Sequence, residues 1–124
     1  MCPHPLTDGP AKGLTRHRLD KMTGGWFVGA FSPAAHTTAD VEVAVQVFPA
    51  GYRGLPHVHR QATEITLLLS GRAYLAGELL LPGDILTLAP GTEAAFVALE
   101  DCMTVVVKHP GVLNDKFITG ASAC

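Results

Sequence analysis

The sequence predicts an all-β domain, either a sandwich or a barrel of short strands. Gly and Pro interrupt the chain at short intervals, as in "PAG" at 49–51 and "PG" at 82–83 and 90–91. The segments between these interruptions are short apolar or alternating runs, and after residue 25 none keeps a helical period for about ten residues. Many short apolar runs joined by tight turns are typical of sandwiches and barrels.

Each predicted strand follows from its own composition. The first, WFVGAF, is rich in aromatic and β-branched residues, which favour strands. In the next, VEVAVQVF, the four valines share one face and Glu42, Ala44 and Gln46 share the other. The runs that follow are bounded by glycine, proline or polar turn residues, and together they indicate about nine to eleven strands. In chain order they are HVH, EITLLLS, RAYLA, ELLL, DILTLA, AAFVAL and CMTVVVK.

Length and composition limit the classes of function. A chain of 124 residues provides one domain with one core. Hydrophobic residues make up 48% of it and charged residues 16%, which is more apolar than an average soluble domain, so we expect a homodimer or a larger oligomer. The net charge of -2 and the scattered Lys and Arg residues argue against a nucleic-acid partner. No apolar run is long enough for a membrane span, so a membrane partner is not expected either.

The beginning of the chain differs from the rest. Residues 1–24 are polar and rich in turn residues, so we expect an N-terminal arm or loop before a domain at 25–124. They contain no apolar core of a signal peptide. The three cysteines, Cys2, Cys102 and Cys124, form no C-x-x-C pair, which favours a reducing compartment and predicts a cytoplasmic protein. Cys102 heads an apolar strand and is expected to be buried.

The segment "HVHRQATEITLLLSG" contains the candidate metal ligands. Residues i and i+2 of a strand point to the same face, so His57 and His59 project together while Val58 points away. If Glu64, at the start of the next strand, returns beside them, the site offers two imidazoles and one carboxylate. These ligands suit a first-row divalent metal such as iron, manganese, nickel, cobalt or zinc. Because a buried carboxylate is costly unless it is paired or bound, packing alone does not explain this set.

The spacing of these residues resembles a known signature. Gly51, His57, His59, Glu64 and Gly71 match the first motif of the cupins without a gap. Further on, "PGDILTLAPG" at 82–91 resembles the second motif, so that the resemblance covers roughly 41–108. It implies a single jelly-roll barrel, the double-stranded β-helix, which holds a divalent metal in its lumen.

The second motif departs from the cupin pattern at its ligand position. The resemblance places the motif's histidine at Ala94, and the asparagine that often follows it at Ala98, and alanine offers no donor atom. Two interpretations follow. The first is a three-ligand metal site with open positions for water and substrate. The second is a lumen that has lost its metal and binds a ligand through hydrogen bonds.

Further candidates for catalysis come from the predicted strand faces. Gln46 and Glu42 share one face of the predicted strand VEVAVQVF, and this face points either into the lumen or to solvent. Tyr74 and Arg72 follow the closing glycine of the first motif and are candidates for binding an anionic substrate at the mouth. A hairpin between AAFVAL and CMTVVVK would point His109 into the lumen, whereas a slip of one residue would expose His109 and turn Lys108 inward. Lys116, in the segment after the last strong strand, is a candidate for the barrel mouth.

The function that these residues indicate is a metal-centred reaction on a small polar metabolite such as a sugar or a carboxylate. With Glu64, Gln46, Tyr74 and His109 as candidate catalytic groups, an isomerase, lyase or oxygenase type is expected. The alternative is a non-catalytic cupin that binds or senses a small ligand without turnover. No serine or cysteine paired with a base supports nucleophilic catalysis.

Overall fold

Strands dominate the protein, and the computed structural model describes residues 12–120. Two short 3-10 turns, Leu19–Lys21 and Thr23–Gly25, precede the first strand. The described residues form eleven strands. These are β1 (Trp26–Gly29), β2 (His36–Thr37), β3 (Glu42–Phe48), β4 (His57–His59), β5 (Thr63–Ser70), β6 (Ala73–Leu75), β7 (Glu78–Leu80), β8 (Ile85–Leu88), β9 (Phe96–Ala98), β10 (Cys102–His109) and β11 (Lys116–Ile118).

The strands form one large sheet and two small ones. The large sheet has six strands in the order β2-β1-β3-β10-β5-β8. A three-stranded sheet has the order β7-β6-β9, and β4 pairs with β11 in a two-stranded sheet. Isolated bridges from Arg53 to Val97 and from His57 to Ala94 connect these two small sheets, which together oppose the large one. The predicted all-β architecture is confirmed.

The core lies between the large sheet and the small ones. Leu68 from β5 and Cys102 from β10 are almost fully buried in one cluster with Ala73 and Leu75 from β6. Burial of this apolar surface stabilises the two layers against each other. The buried, unpaired Cys102 confirms the expectation for that residue, whereas Cys2 and Cys124 lie outside the described residues.

One predicted pairing is wrong. β10 does not form a hairpin with β9; it pairs with β3 on one side and with β5 on the other, and β9 pairs with β6. The two strands that follow each other in the chain therefore belong to opposite layers. As a result, His109 is exposed and its neighbour Lys108 points into the interior. This is the second of the two predicted orientations, the one expected when the strand register shifts by one residue.

The beginning of the described chain carries no strand. Residues 12–20 are all exposed, and β1 begins at Trp26, close to the predicted domain start at 25. Residues 1–11 of the predicted arm at 1–24 lie outside the described part. Within residues 12–120, no helix has the length and hydropathy that crossing a membrane requires.

Candidate metal centre

The two histidines and the glutamate of the first motif meet inside the protein. His57 and His59 lie on β4, and Glu64 lies near the start of β5. The Nε2 atom of His59 is 3.6 Å from an oxygen of Glu64, and one ligand atom from each of the three residues lies within 4.8 Å of the others. The predicted return of Glu64 beside the histidine pair is confirmed. Metal bonds of about 2.1 Å place opposite ligand atoms about 4.2 Å apart, so a small side-chain adjustment suffices to bind an ion.

The surroundings of the two imidazoles also fit a metal site. The Nδ1 atom of His57 lies 3.0 Å from the carbonyl oxygen of Leu55. Because a carbonyl only accepts, this nitrogen carries the proton and leaves the lone pair on Nε2 free for a metal. His59 is 7% exposed, and among residues 12–120 neither of its ring nitrogens has a hydrogen-bond partner. Buried polar atoms without partners are costly, and a bound metal would satisfy one of them.

The electrostatics favour the charge states that a metal requires. Burial lowers the pKa of His57, and the positive charge of Lys116 lowers it further, while the hydrogen bond to Leu55 offsets only part of this. Burial by itself would raise the pKa of Glu64, but His59 and the charge of Lys108 lower it, so its net shift is downward. Neutral imidazole and ionised carboxylate are the forms that bind metal ions.

A buried aspartate positions the loop between the ligand-bearing strands. The carboxylate of Asp115 accepts hydrogen bonds from the backbone N–H groups of Arg60, Gln61 and Ala62, at 2.9 to 3.1 Å. These three residues separate His59 from the start of β5. Sequence reasoning missed Asp115; the polar turn that it forms with Asn114 was the available signal.

Ala94, the predicted position of the second motif's histidine, lies beside His57, His59 and Glu64. Its backbone pairs with that of His57 through two hydrogen bonds of 2.9 Å, and its side chain is 4% exposed. The space between Ala94 and the three ligand residues is too small for the centre of a water molecule. The open side of the cluster faces the cavity described next.

A cavity of about 240 Å³ adjoins the cluster. Its polar lining combines the three motif residues with side chains from β3, β5, β10 and β11, and its apolar lining is largely aromatic. The polar residues are Gln46, His57, His59, Glu64, Thr66, Thr104, Lys108 and Lys116, and the apolar ones include Trp26, Phe48, Tyr52, Leu75, Phe96 and Val106. Enclosure by both layers of the fold makes this a candidate site for a small ligand.

The structure separates the other candidate residues. Gln46 lines the cavity, so its strand face points inward. Tyr74 lies elsewhere: it is 42% exposed and lines an outer groove with Arg53 and Glu93. His109 is exposed at the end of β10, and Arg72 forms a surface ion pair with Glu100. The structure therefore brings neither Tyr74 nor His109 to the candidate metal ligands.

Several cavity residues escaped the sequence reasoning. Trp26 and Phe48 were read only as members of strands, and Thr104 as part of an apolar run. The alternation along β10 was the available signal, because Thr104, Val106 and Lys108 share one face. Which face points inward depends on the neighbours of β10, and these were predicted incorrectly.

Comparisons with known proteins identify the fold. Neither a scan against protein-family models nor a search of curated proteins gives a match. Among solved structures, a protein with a double-stranded β-helix domain from Klebsiella pneumoniae has 26% identity and a TM-score of 0.61, covering 68% of this chain and 74% of that one. KdgF from Halomonas sp. has 31% identity and a TM-score of 0.54, covering 59% and 72%.

A third solved structure names the superfamily. It is a sugar phosphate isomerase of the cupin superfamily from Silicibacter pomeroyi, with 20% identity, a TM-score of 0.53 and coverage of 56% of this chain and 50% of that one. At that identity the likeness concerns the fold alone. The fold, the first motif and the similarity to KdgF together show that this chain belongs to the cupin superfamily.

Proposed function

We propose that this protein is a metal-dependent cupin enzyme. His57, His59 and Glu64 bind one divalent metal, which is iron, manganese, nickel or zinc, and a small polar metabolite reacts at it in an isomerase, lyase or oxygenase type of reaction. The observation that carries this proposal is His59, a buried imidazole with no hydrogen-bond partner on either nitrogen beside an ionised carboxylate. Such an arrangement is costly without a bound ion.

The residues around the cluster have separate tasks in this proposal. A bound divalent metal polarises a carbonyl or carboxylate oxygen of the substrate, or lowers the pKa of a water molecule. The Leu55 carbonyl orients His57, and Gln46 orients the substrate from β3. The aromatic side chains of the cavity exclude bulk water. Tyr74 and His109 take no part, because they lie outside the cavity.

A ligand-binding cupin without metal is the second candidate. Ala94 favours it, since this position lacks the donor atom that the second motif supplies. The two candidates differ in their response to chelators: the enzyme loses activity and metal together, whereas the binding module keeps its ligand affinity. The likeness to an isomerase structure concerns the fold alone and does not select between the two candidates or among reactions.

Metal analysis of protein purified without added metal tests the proposal. We expect close to one equivalent of a transition metal in the wild-type protein and almost none in His59→Ala, since a three-ligand site that loses one imidazole binds much more weakly. His109→Ala is the matched control, because it removes an exposed histidine and leaves the cavity unchanged. Circular dichroism checks that both variants keep their strand content.

Two results would contradict the assignment. One is a wild-type protein that binds none of the four metals at neutral pH. The other is a double variant, His57→Ala with His59→Ala, that keeps its metal. In either case the metal-free binding module becomes the better account of the cavity.

We also propose that two copies of the chain associate through the outer face of the large sheet. Val45, Val105, Leu67 and Ile85 form a row across four neighbouring strands. Neighbouring positions add Val47, which is 68% exposed, Met103 and Leu69, and none of the outward positions of these four strands is charged. Sheets that face water on one side normally carry polar and charged residues on that side, so an outer face without charged residues indicates that this face is covered. A second copy offers the same apolar face for this contact.

A further inference from the structure

Two lysines face the cavity that holds the candidate metal ligands. Lys108 projects inward from β10. Lys116 projects from β11, where its backbone pairs with that of His59, and it lines the cavity from an exposed position. Neither lysine forms an ion pair within the described residues 12–120. Glu64 is the single carboxylate that lines this cavity, and the proposed metal would use it as a ligand.

The position of Lys108 is defined by its neighbours. Its ammonium nitrogen lies 4.6 Å from the ring centroid of Trp26, a cation–π contact that holds the side chain over the cavity. Glu42 pairs with Lys108 across the strands and, together with Asp115 and both lysines, lines a neighbouring hollow; neither of these two carboxylates lines the cavity itself. Burial lowers the pKa of Lys108, and the nearby carboxylates offset this only in part. Lys108 is half-buried, and an ammonium group that forms no ion pair within the described chain and faces a cavity favours an anionic ligand.

The other end of the cavity is apolar. Phe48 packs against Tyr52 at a centroid distance of 4.7 Å and against Phe96 at 4.6 Å, and Leu75 lies beside them. Gln46 and Thr104 lie at the same level of the barrel, as partners across β3 and β10. The cavity therefore joins a cationic end to an aromatic end. Its volume of about 240 Å³ is below the roughly 300 to 1,000 Å³ of drug-sized pockets, so the ligand must be small.

We propose that the substrate is a small carboxylate with an apolar tail. Its carboxylate binds between Lys108 and Lys116 beside the metal, and its tail packs against Phe48 and Phe96. Within the cavity lining one carboxylate faces two ammonium groups, and a divalent metal would add two more positive charges, so a carboxylate ligand suits this end better than a neutral sugar. This inference deepens the proposed function and rests on it for the role of the metal.

Binding of 4-methyl-2-oxopentanoate, measured by calorimetry, tests the inference. The protein is used both loaded with zinc and free of metal, and the zinc content of each sample is measured. Trp26 is the only tryptophan in the chain and contacts Lys108, so its fluorescence is a second readout. We expect the neutral amide of this acid to bind at least ten-fold more weakly, because it lacks the charge-assisted bonds. Pyruvate should also bind at least ten-fold more weakly, because it lacks most of the tail.

The lysine variants locate the binding site. Lys108→Met and Lys116→Met should each weaken binding of the acid about ten-fold or more without loss of zinc. Lys21→Met removes an exposed lysine outside the cavity and should change neither the affinity for the acid nor the zinc content. Equal binding of acid and amide, unchanged affinity in both lysine variants, or tighter binding of inorganic phosphate than of the acid would overturn the inference. If no zinc binds but the acid still depends on the lysines, this inference holds and the metal proposal fails.

Discussion

Asp115 illustrates how one residue determines the geometry of the candidate site. The residue is 4% exposed, and its two carboxylate oxygens accept hydrogen bonds from the backbone N–H groups of Arg60, Gln61 and Ala62. Burial alone would raise the pKa of Asp115, but these N–H donors lower it, and the net shift is downward. The ionised carboxylate thus stabilises the loop that sets the distance between His59 and Glu64.

Substitution of Asp115 should affect both stability and metal binding. We expect Asp115→Ala to lower the free energy of unfolding by about 2 to 4 kcal/mol at pH 7, because it leaves three backbone donors without their acceptor. It should also weaken metal binding, since the loop no longer holds β4 and β5 at a defined distance. Asp84→Ala, which removes a carboxylate from an exposed turn, is the control. Urea unfolding and metal titration provide the measurements.

The same aspartate predicts a pH dependence of stability. Its folded pKa is lower than the unfolded value, so its contribution is complete above the unfolded pKa of about 3.9 and is lost as the pH falls through the folded pKa. The difference in unfolding free energy between wild type and Asp115→Ala should therefore be constant from pH 7 to about pH 5 and shrink below pH 4. A difference that stays constant down to pH 2 would contradict the assigned role.

At the scale of elements, the two glycines that frame the first motif serve different purposes. Gly51 and Gly71 both have positive φ, +88° and +86°, in turns at the ends of β3 and β5. A Cβ on Gly51 would meet open space. A Cβ on Gly71 would collide with the carbonyl oxygen of Asp101 and lie 2.8 Å from the sulfur of Cys102. Gly51 is thus required for its backbone angle alone, whereas Gly71 also permits β5 to approach the start of β10.

This difference gives a matched pair of alanine variants. Gly51→Ala should lower the free energy of unfolding by about 1 to 2 kcal/mol, the cost of a left-handed conformation in a residue with a Cβ. Gly71→Ala should cost about 3 kcal/mol or more, because close packing adds to that strain. Chemical denaturation compares the two variants. Equal losses would show that the contact with Asp101 relaxes freely and that both glycines serve only the turn.

For the whole molecule, the apolar outer face of the large sheet predicts assembly. We expect light scattering at micromolar concentration to give about twice the mass of one 13.0 kDa chain. Val105→Glu places a charge in the middle of the face and should produce monomers that keep their strand content. Leu79→Glu, on an exposed position of β7 in the opposite layer, should leave the dimer intact.

Two outcomes of the assembly experiment count against this interface. A wild-type mass of one chain would exclude stable association through any face. A dimer that persists in Val105→Glu would move the contact to another surface and leave the apolar face unexplained.

The sequence by itself determined the strand content, the first motif and the candidate ligand set. Gly and Pro turns limit each apolar run to a strand, and the period of two places His57 and His59 on one face regardless of their surroundings. The return of Glu64 was also predictable, because β4 and β5 are joined by a short loop.

The tertiary structure alone decided which strands are neighbours and therefore which side chains complete the cavity. β10 pairs with β3 and β5, which are distant in sequence, and this places Lys108 inside and His109 outside. Asp115 reaches residues more than fifty positions earlier in the chain. Local periodicity specifies which residues of a strand share a face, but which face is buried depends on contacts between segments far apart in sequence. A slip of one residue in those contacts reverses the orientation of every side chain in the strand.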